Sequence, residues 1–140
     1  IEDVSPRLER YDAIKLIAHE HQMELVTLEV DGHQEVVDQF ISQLDVQGKR
    51  TAFFAANGTV LNQIIKALRR YHLSFPKDCG ICGYDDLMIG EVLMPTLTAI
   101  SQRPELIGRR STEVLLEMIK GNVTNESIDI PSTLHLRESL

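Results

Sequence analysis

The sequence predicts an α/β fold, a parallel sheet flanked by helices on both faces. Three observations carry that expectation. Short apolar runs begin near residues 25, 51 and 79, each of strand length. They alternate with longer segments at 6–21, 34–44 and 59–70, where apolar residues recur every three or four positions, the period of a helix. The connections are only a few residues long, which favours right-handed crossovers and parallel strands.

Each element has its own signature. Ser5 and Pro6 form a helix start, with a capping hydroxyl followed by the imino acid tolerated in the first turn. Leu8, Tyr11, Ile14, Ile17 and Ala18 then form an apolar stripe ending at His21. Residues 25–30 are rich in Leu and Val and end at Asp31 and Gly32, a turn pair. The helix at 34–44 carries Val36, Val37, Phe40, Ile41 and Leu44 on one face. A polar loop at 45–50 leads into a strand at 51–56, broken by Asn57 and Gly58. The helix at 59–70 shows Val60, Leu61, Ile64, Ile65 and Leu68, and its basic end through Arg70 suits the helix dipole as a solvated terminus.

A third strand starts at Cys79, and Gly83, Tyr84, Asp85 and Asp86 arrive where it should end, with Gly83 expected to permit a sharp turn. Beyond it come an apolar loop or a single helical turn at 87–94, a short strand at 97–101 and a helix at 105–120. That helix should bury Leu106, Leu115, Met118 and Ile119 and stop at Gly121. Residues 128–137 alternate apolar and polar, as an edge strand or a strand pair does.

Bulk properties narrow the function. A net charge of −7 over 140 residues argues against this chain gripping nucleic acid by itself, since phosphates need a basic face. No apolar run is long enough to span a bilayer, and the acidic start at Ile1 lacks the pattern of a signal peptide. Absence of an initiating Met suggests a fragment or a processed product. Cys79 and Cys82 make a lone C-x-x-C, but inside an apolar strand pattern they are expected as buried thiols rather than a redox pair. Three N-x-[S/T] matches, at Asn57, Asn122 and Asn125, are taken as chance.

Topology points to one place for a site. In open parallel sheets, ligands bind outside the carboxyl ends of the strands. Asp31, Asn57 and Asp85 each follow a predicted strand, and Arg7 begins the first helix, so all four are expected along one edge. Asp85 is the expected centre. An enzyme using Asp85 and Asp86 as a metal or phosphate-handling pair is disfavoured, because no partner lysine, Gly-rich phosphate loop or Cys/His metal spacing accompanies them. No catalytic residue, cofactor or metal is expected.

The motifs in register resemble a known family. They are the strand from Thr51 to Asn57, Phe75 to Asp78, Gly83 to Asp86, Pro95 to Thr98, Gln102, the helix containing Gly108, and the closing run from Leu134 through Arg137 to Ser139. Together they resemble the effector-binding part of LacI/GalR-type transcriptional regulators, whose fold is similar to type I periplasmic sugar-binding proteins. The resemblance implies a sugar-sized effector held between two α/β subdomains of a homodimer, with no membrane association. It implies operator DNA contacted only through an N-terminal domain absent from this chain, and a cytoplasmic location. By position it assigns ligand contacts to Arg7, Asn57, Asp85 and Gln102, and Asp31 stands where many relatives place a stacking aromatic. Arg10 stands where the family usually has glycine, and Gly58 where it usually has an acid.

The resemblance also divides the chain. Residues 1–95 would be the core of the C-terminal subdomain, 96–121 a crossover strand and helix of the other subdomain, and 122–140 the return strand. The first strand of the core would precede Ile1. An apolar face on the 105–120 helix would then be exposed and favour self-association. An extracytoplasmic sugar-binding protein of the same fold is the alternative.

Overall fold

The computed structural model describes residues 5–46, 48–122 and 127–140, with side chains from residue 8 onward. A four-stranded sheet in the order β1-β2-β3-β4 organises it. β1 (Ala52–Ala55), β2 (Gly80–Tyr84) and β3 (Thr98–Ser101) run parallel, and β4 (Thr133–His135) is antiparallel to β3. Around the sheet lie α1 (Ser5–Glu20), α2 (Gln34–Ser42), α3 (Gly58–Arg70), a short α4 (Ile89–Val92) and α5 (Pro104–Ile119). The parallel core and flanking helices are the architecture the alternation predicts.

One core unites α2, α3, β1 and β2. Val37 and Ile41 from α2 meet Leu61, Ile64, Ala67 and Leu68 from α3 over Ala55 and Ile81 of the sheet. Ile41, Leu61 and Leu68 are each 1% exposed, so the helical stripes at 34–44 and 59–70 have the core role their spacing implied. Gly83 serves this packing. A Cβ there would lie 3.0 Å from Leu61 Cδ2, so glycine lets α3 close on β2. Its φ is not positive, and the expected turn is made instead by Asp85, at φ 73°.

The 25–30 segment is not a strand. Residues 23–30 form no helix and pair with no strand among the described residues, and of their apolar side chains only Val30 is buried. A strand needs a neighbouring ladder to satisfy its backbone, and apolar content alone does not supply one. The α1 stripe departs similarly: Ala18 is buried, while Leu8 and Ile17 are exposed. On α5 no residue is buried, and Leu115, Met118 and Ile119 face solvent. The edge strand expected over 128–137 shortens to the three residues of β4. Arg70 is not simply solvated; it pairs with the buried Asp38 of α2, which also accepts from Gln34 Nε2.

The C-terminal run is stitched into the sheet by side chains. Ser139, fully buried, donates through Oγ to Ile81 O at 2.6 Å and accepts from Thr98 N at 2.8 Å. Its carbonyl takes Ile81 N at 2.8 Å, extending the sheet beyond β3. Arg137 then makes a two-pronged bond to Asp86, at 2.7 and 2.9 Å, and donates to Leu97 O at 2.7 Å.

Candidate functional site

Register brings the carboxyl ends of β1, β2 and β3 together. Ala55 pairs with Gly83, so Asn57 and Asp85 each stand two residues past the same rung. Tyr84 pairs with Ile100, so Gln102 stands two residues past that rung, close to Asp85. Neighbouring strands are about 5 Å apart, so these three positions share a small patch of edge.

Asn57 is extended (φ −163°, ψ 170°), and its Oδ1 accepts from Val60 N at 3.0 Å, capping α3. The acceptor half of the amide is therefore committed, and what remains to offer a ligand is the Nδ2 donor pair. Gly58 lets the loop after β2 close over this turn, because a Cβ would lie 2.9 Å from Leu87 Cδ1.

Asp85 is the most constrained member. It holds a left-handed backbone, a region Asp tolerates better than most residues but still at a cost of about 1 kcal/mol or more. Its amide donates to Ile100 O at 3.0 Å, fixing it to the end of β3. Gln102 Nε2 donates to Asp85 Oδ1 at 2.6 Å. The next residue, Arg103, is also left-handed at φ 57°, with its amide on Ser101 Oγ at 3.2 Å. Two strained loops thus face each other through one short side-chain bond. The amide fixes one carboxylate oxygen, and a carboxylate held this way can accept from a hydroxyl through its other oxygen.

Asp86 has a different job. Its carboxylate is occupied by Arg137, with Glu91 adding to the cluster at 3.1 Å and His135 lying 3.7 Å away. The hydrogen bond from Arg137 holds the Asp86 carboxyl below its usual range. The adjacent acids are therefore one structural and one edge-facing, not a matched pair. Nor do the cysteines behave as a redox motif. Both are free thiols, Cys79 is buried, and desolvation pushes its thiol up to about 11.

The remaining expected contacts stand differently. Asp31 follows no paired strand; it is exposed in a left-handed turn, and the adjacent Gly32 carbonyl is held by Gln63 Nε2 at 3.0 Å. The topological reason for placing Asp31 on the edge therefore falls away. The Arg7 side chain lies outside the described residues. Two features went unpredicted. One is the Asp86–Arg137 pair, whose partners are 51 residues apart. The other is Arg10, whose guanidinium lies 3.9 Å over the Tyr84 ring while Nη1 donates to Ala56 O at 2.9 Å. Two hollows on the described surface lie elsewhere, beside α5 and around α4.

Comparison with known proteins identifies the family of the fold. The family model for the periplasmic binding protein-like domain matches residues 2–140. The ribose operon repressor of Halalkalibacterium halodurans is 26% identical over 138 residues, covering 97% of this chain and 42% of that protein. The HTH-type transcriptional regulator KdgR of Bacillus subtilis is 28% identical, covering 100% of this chain and 43% of that protein. A crystal structure of a LacI family transcriptional regulator from Enterococcus faecium with bound ribose superposes with a TM-score of 0.80 at 25% identity, covering 95% of this chain and 51% of that one. The chain thus spans about half the length, or less, of these relatives.

Proposed function

Since the chain belongs to the periplasmic binding protein-like family of LacI-type regulators, we propose that it is the effector-binding portion of a cytoplasmic, DNA-binding transcriptional repressor. The effector is a sugar or a related small polar metabolite, gripped at the edge formed by Asn57, Asp85 and Gln102. The observation that carries this reading is Asp85, held in a strained backbone and oriented by Gln102 at 2.6 Å. Strain retained at one carboxylate beside a strand end marks a residue placed for contact rather than for packing. Repressor relatives favour a regulator over an extracytoplasmic binding protein.

The second wall of the cleft and the operator-binding region would come from protein beyond this chain, whose relatives are more than twice as long. In the assembled protein, residues 1–95 and the return strand would form one subdomain with 96–121 contributing to the other. Effector binding would change the spacing of the DNA-binding heads in a homodimer. Met88, Val92 and Met94, which are 90%, 72% and 96% exposed, supply an apolar surface suited to self-association. Light scattering on the full-length protein should give a dimer mass; a monomer at all concentrations would remove the dimer from the scheme.

Calorimetric titration of the full-length protein with a sugar panel tests the site. Asp85→Ala should weaken binding roughly ten- to a hundredfold, as expected for losing a hydrogen bond to a charged group, with the fold intact by circular dichroism. Equal binding by wild type and variant would remove Asp85 from the site.

A further inference from the structure

The candidate edge has a polarity fixed by its own hydrogen bonds. A carboxylate only accepts, so Gln102 must turn Nε2 to Asp85 Oδ1, at 2.6 Å, leaving its Oε1 as a second acceptor beside the carboxylate. A backbone N–H only donates, so Asn57 must turn Oδ1 to Val60 N, at 3.0 Å, leaving Nδ2 as its donor. Both amide orientations are set by partners whose roles cannot reverse. These residues stand two past neighbouring rungs of the sheet, so the Asp85–Gln102 end of the edge accepts and the Asn57 end donates.

Charge adds to that pattern. Asp85 is half-buried, and among the described residues no lysine, arginine or histidine forms an ion pair with it. Asp38 and Asp86, by contrast, have Arg70 and Arg137. Arg10, on the same edge, is engaged elsewhere, with Nη1 on Ala56 O and its guanidinium over the Tyr84 ring. A ligand seated here strips water from the Asp85 carboxylate, and a dehydrated carboxylate without an opposite charge is costly. Hydroxyls alone leave that charge uncompensated. An ammonium supplies the compensation, and its three N–H donors, with no acceptor, match the free oxygens of Asp85 and Gln102. The free Asp85 oxygen has two lone pairs, so a neighbouring ligand hydroxyl can share it.

We propose that the effector bears a protonated amine alongside its hydroxyls, as an amino sugar or an amine-bearing polyol does. The ammonium lies between Asp85 and Gln102, and a ligand hydroxyl oxygen accepts from Asn57 Nδ2. This assignment rests on the reading of the edge as an effector site and narrows the class of ligand it takes.

The test is a calorimetric titration of the full-length protein with D-glucose, its 2-amino, 3-amino and 6-amino deoxy derivatives, and N-acetyl-D-glucosamine. At least one amine should bind about tenfold or more tighter than glucose, the excess of a charge-assisted hydrogen bond over a neutral one. N-acetyl-D-glucosamine, whose nitrogen carries no charge, should show no such gain. Raising the salt concentration should shrink the amine's advantage. Asp85→Asn, which keeps an acceptor for Gln102 but removes the charge, should bring the amine-to-glucose ratio near one. Gln102→Leu, which removes one acceptor, should reduce the ratio in part. An Asp85 that only shapes its loop would lower all affinities together in Asp85→Asn and leave the ratio intact. Equal binding of glucose and every amine, an equal gain with the N-acetyl sugar, or a ratio that Asp85→Asn leaves intact overturns the amine assignment. If such binding still weakens in Asp85→Ala, the effector-site reading survives that result. No binding by any probe, or binding indifferent to Asp85→Ala, overturns the site reading and the amine assignment together.

Discussion

Two regions of this chain obey opposite rules. In the first, α2 and α3 press on β1 and β2, and the residues their spacing marks as apolar are buried, down to 1% exposure at Ile41, Leu61 and Leu68. In the second, α1, the 23–30 segment and α5 carry apolar residues that meet solvent, with Ile119 at 72% and Ile17 at 50% exposure. The polar groups follow the same division. Asp38, Asp86 and Ser139 are matched by Arg70, Arg137 and backbone groups of the sheet. The difference separates a core around β1 and β2 that closes on partners within this chain from outer segments whose apolar side chains are exposed among the described residues. The candidate site lies at the boundary, supported from below by the first region and open toward the second.

The sharpest way to break this comparison is a pair of truncations. Leu61→Ala should cost about 2–5 kcal/mol by removing packed core volume, whereas Ile119→Ala, on the exposed α5 face, should change stability by less than about 0.5 kcal/mol. Urea denaturation of this chain measures both, and a comparable loss at the two positions would erase the distinction. In the full-length protein, a markedly larger loss for Ile119→Ala would show that its face is covered there.

Next in size is Arg137→Met. Stranding Asp86 in a mostly enclosed position should destabilise by about 2–4 kcal/mol at neutral pH. The pH dependence has a definite sign. The Asp86 carboxyl is held below its ordinary value of 3.8, chiefly by the hydrogen bond from Arg137. A lowered folded value means that the contribution is fully present above 3.8 and is lost as pH falls from there through the folded value. Wild type should therefore lose more stability than Arg137→Met across that acidic window, and parallel pH profiles would show that the pair contributes little.

The smallest expected effect is Asn57→Ala. Losing the cap on α3 should cost about 1 kcal/mol, with Asn57→Asp retaining most of the stability by keeping an acceptor for Val60 N. An effector-affinity loss in Asn57→Asp without a stability loss would separate the donor role of Nδ2 from the capping role of Oδ1.

Much of this was legible in the sequence, for a physical reason that also explains the misses. Stripes at 34–44 and 59–70 and the strands at 51–56 and 97–101 were readable because their partners lie within the chain. Residues 25–30 have strand composition yet no ladder, so local propensity promised a strand that pairing did not supply. Asp31 therefore lacks the paired strand end from which its edge position was inferred. Asp85 and Gln102 could be placed near each other from strand ends alone, but their hydrogen bond could not, since it depends on two left-handed residues, Asp85 and Arg103. The Asp86–Arg137 and Arg10–Tyr84 contacts had no local signal. Their partners are brought together only when distant segments reach the same sheet edge.

A crystal structure of the full-length protein with the tightest-binding probe from the titrations addresses the central claim most directly. The account predicts a ligand hydroxyl within about 3.2 Å of Asp85, with Gln102 still bonded to the other carboxylate oxygen. A ligand bound elsewhere, with Asp85 touching only Gln102, would contradict it.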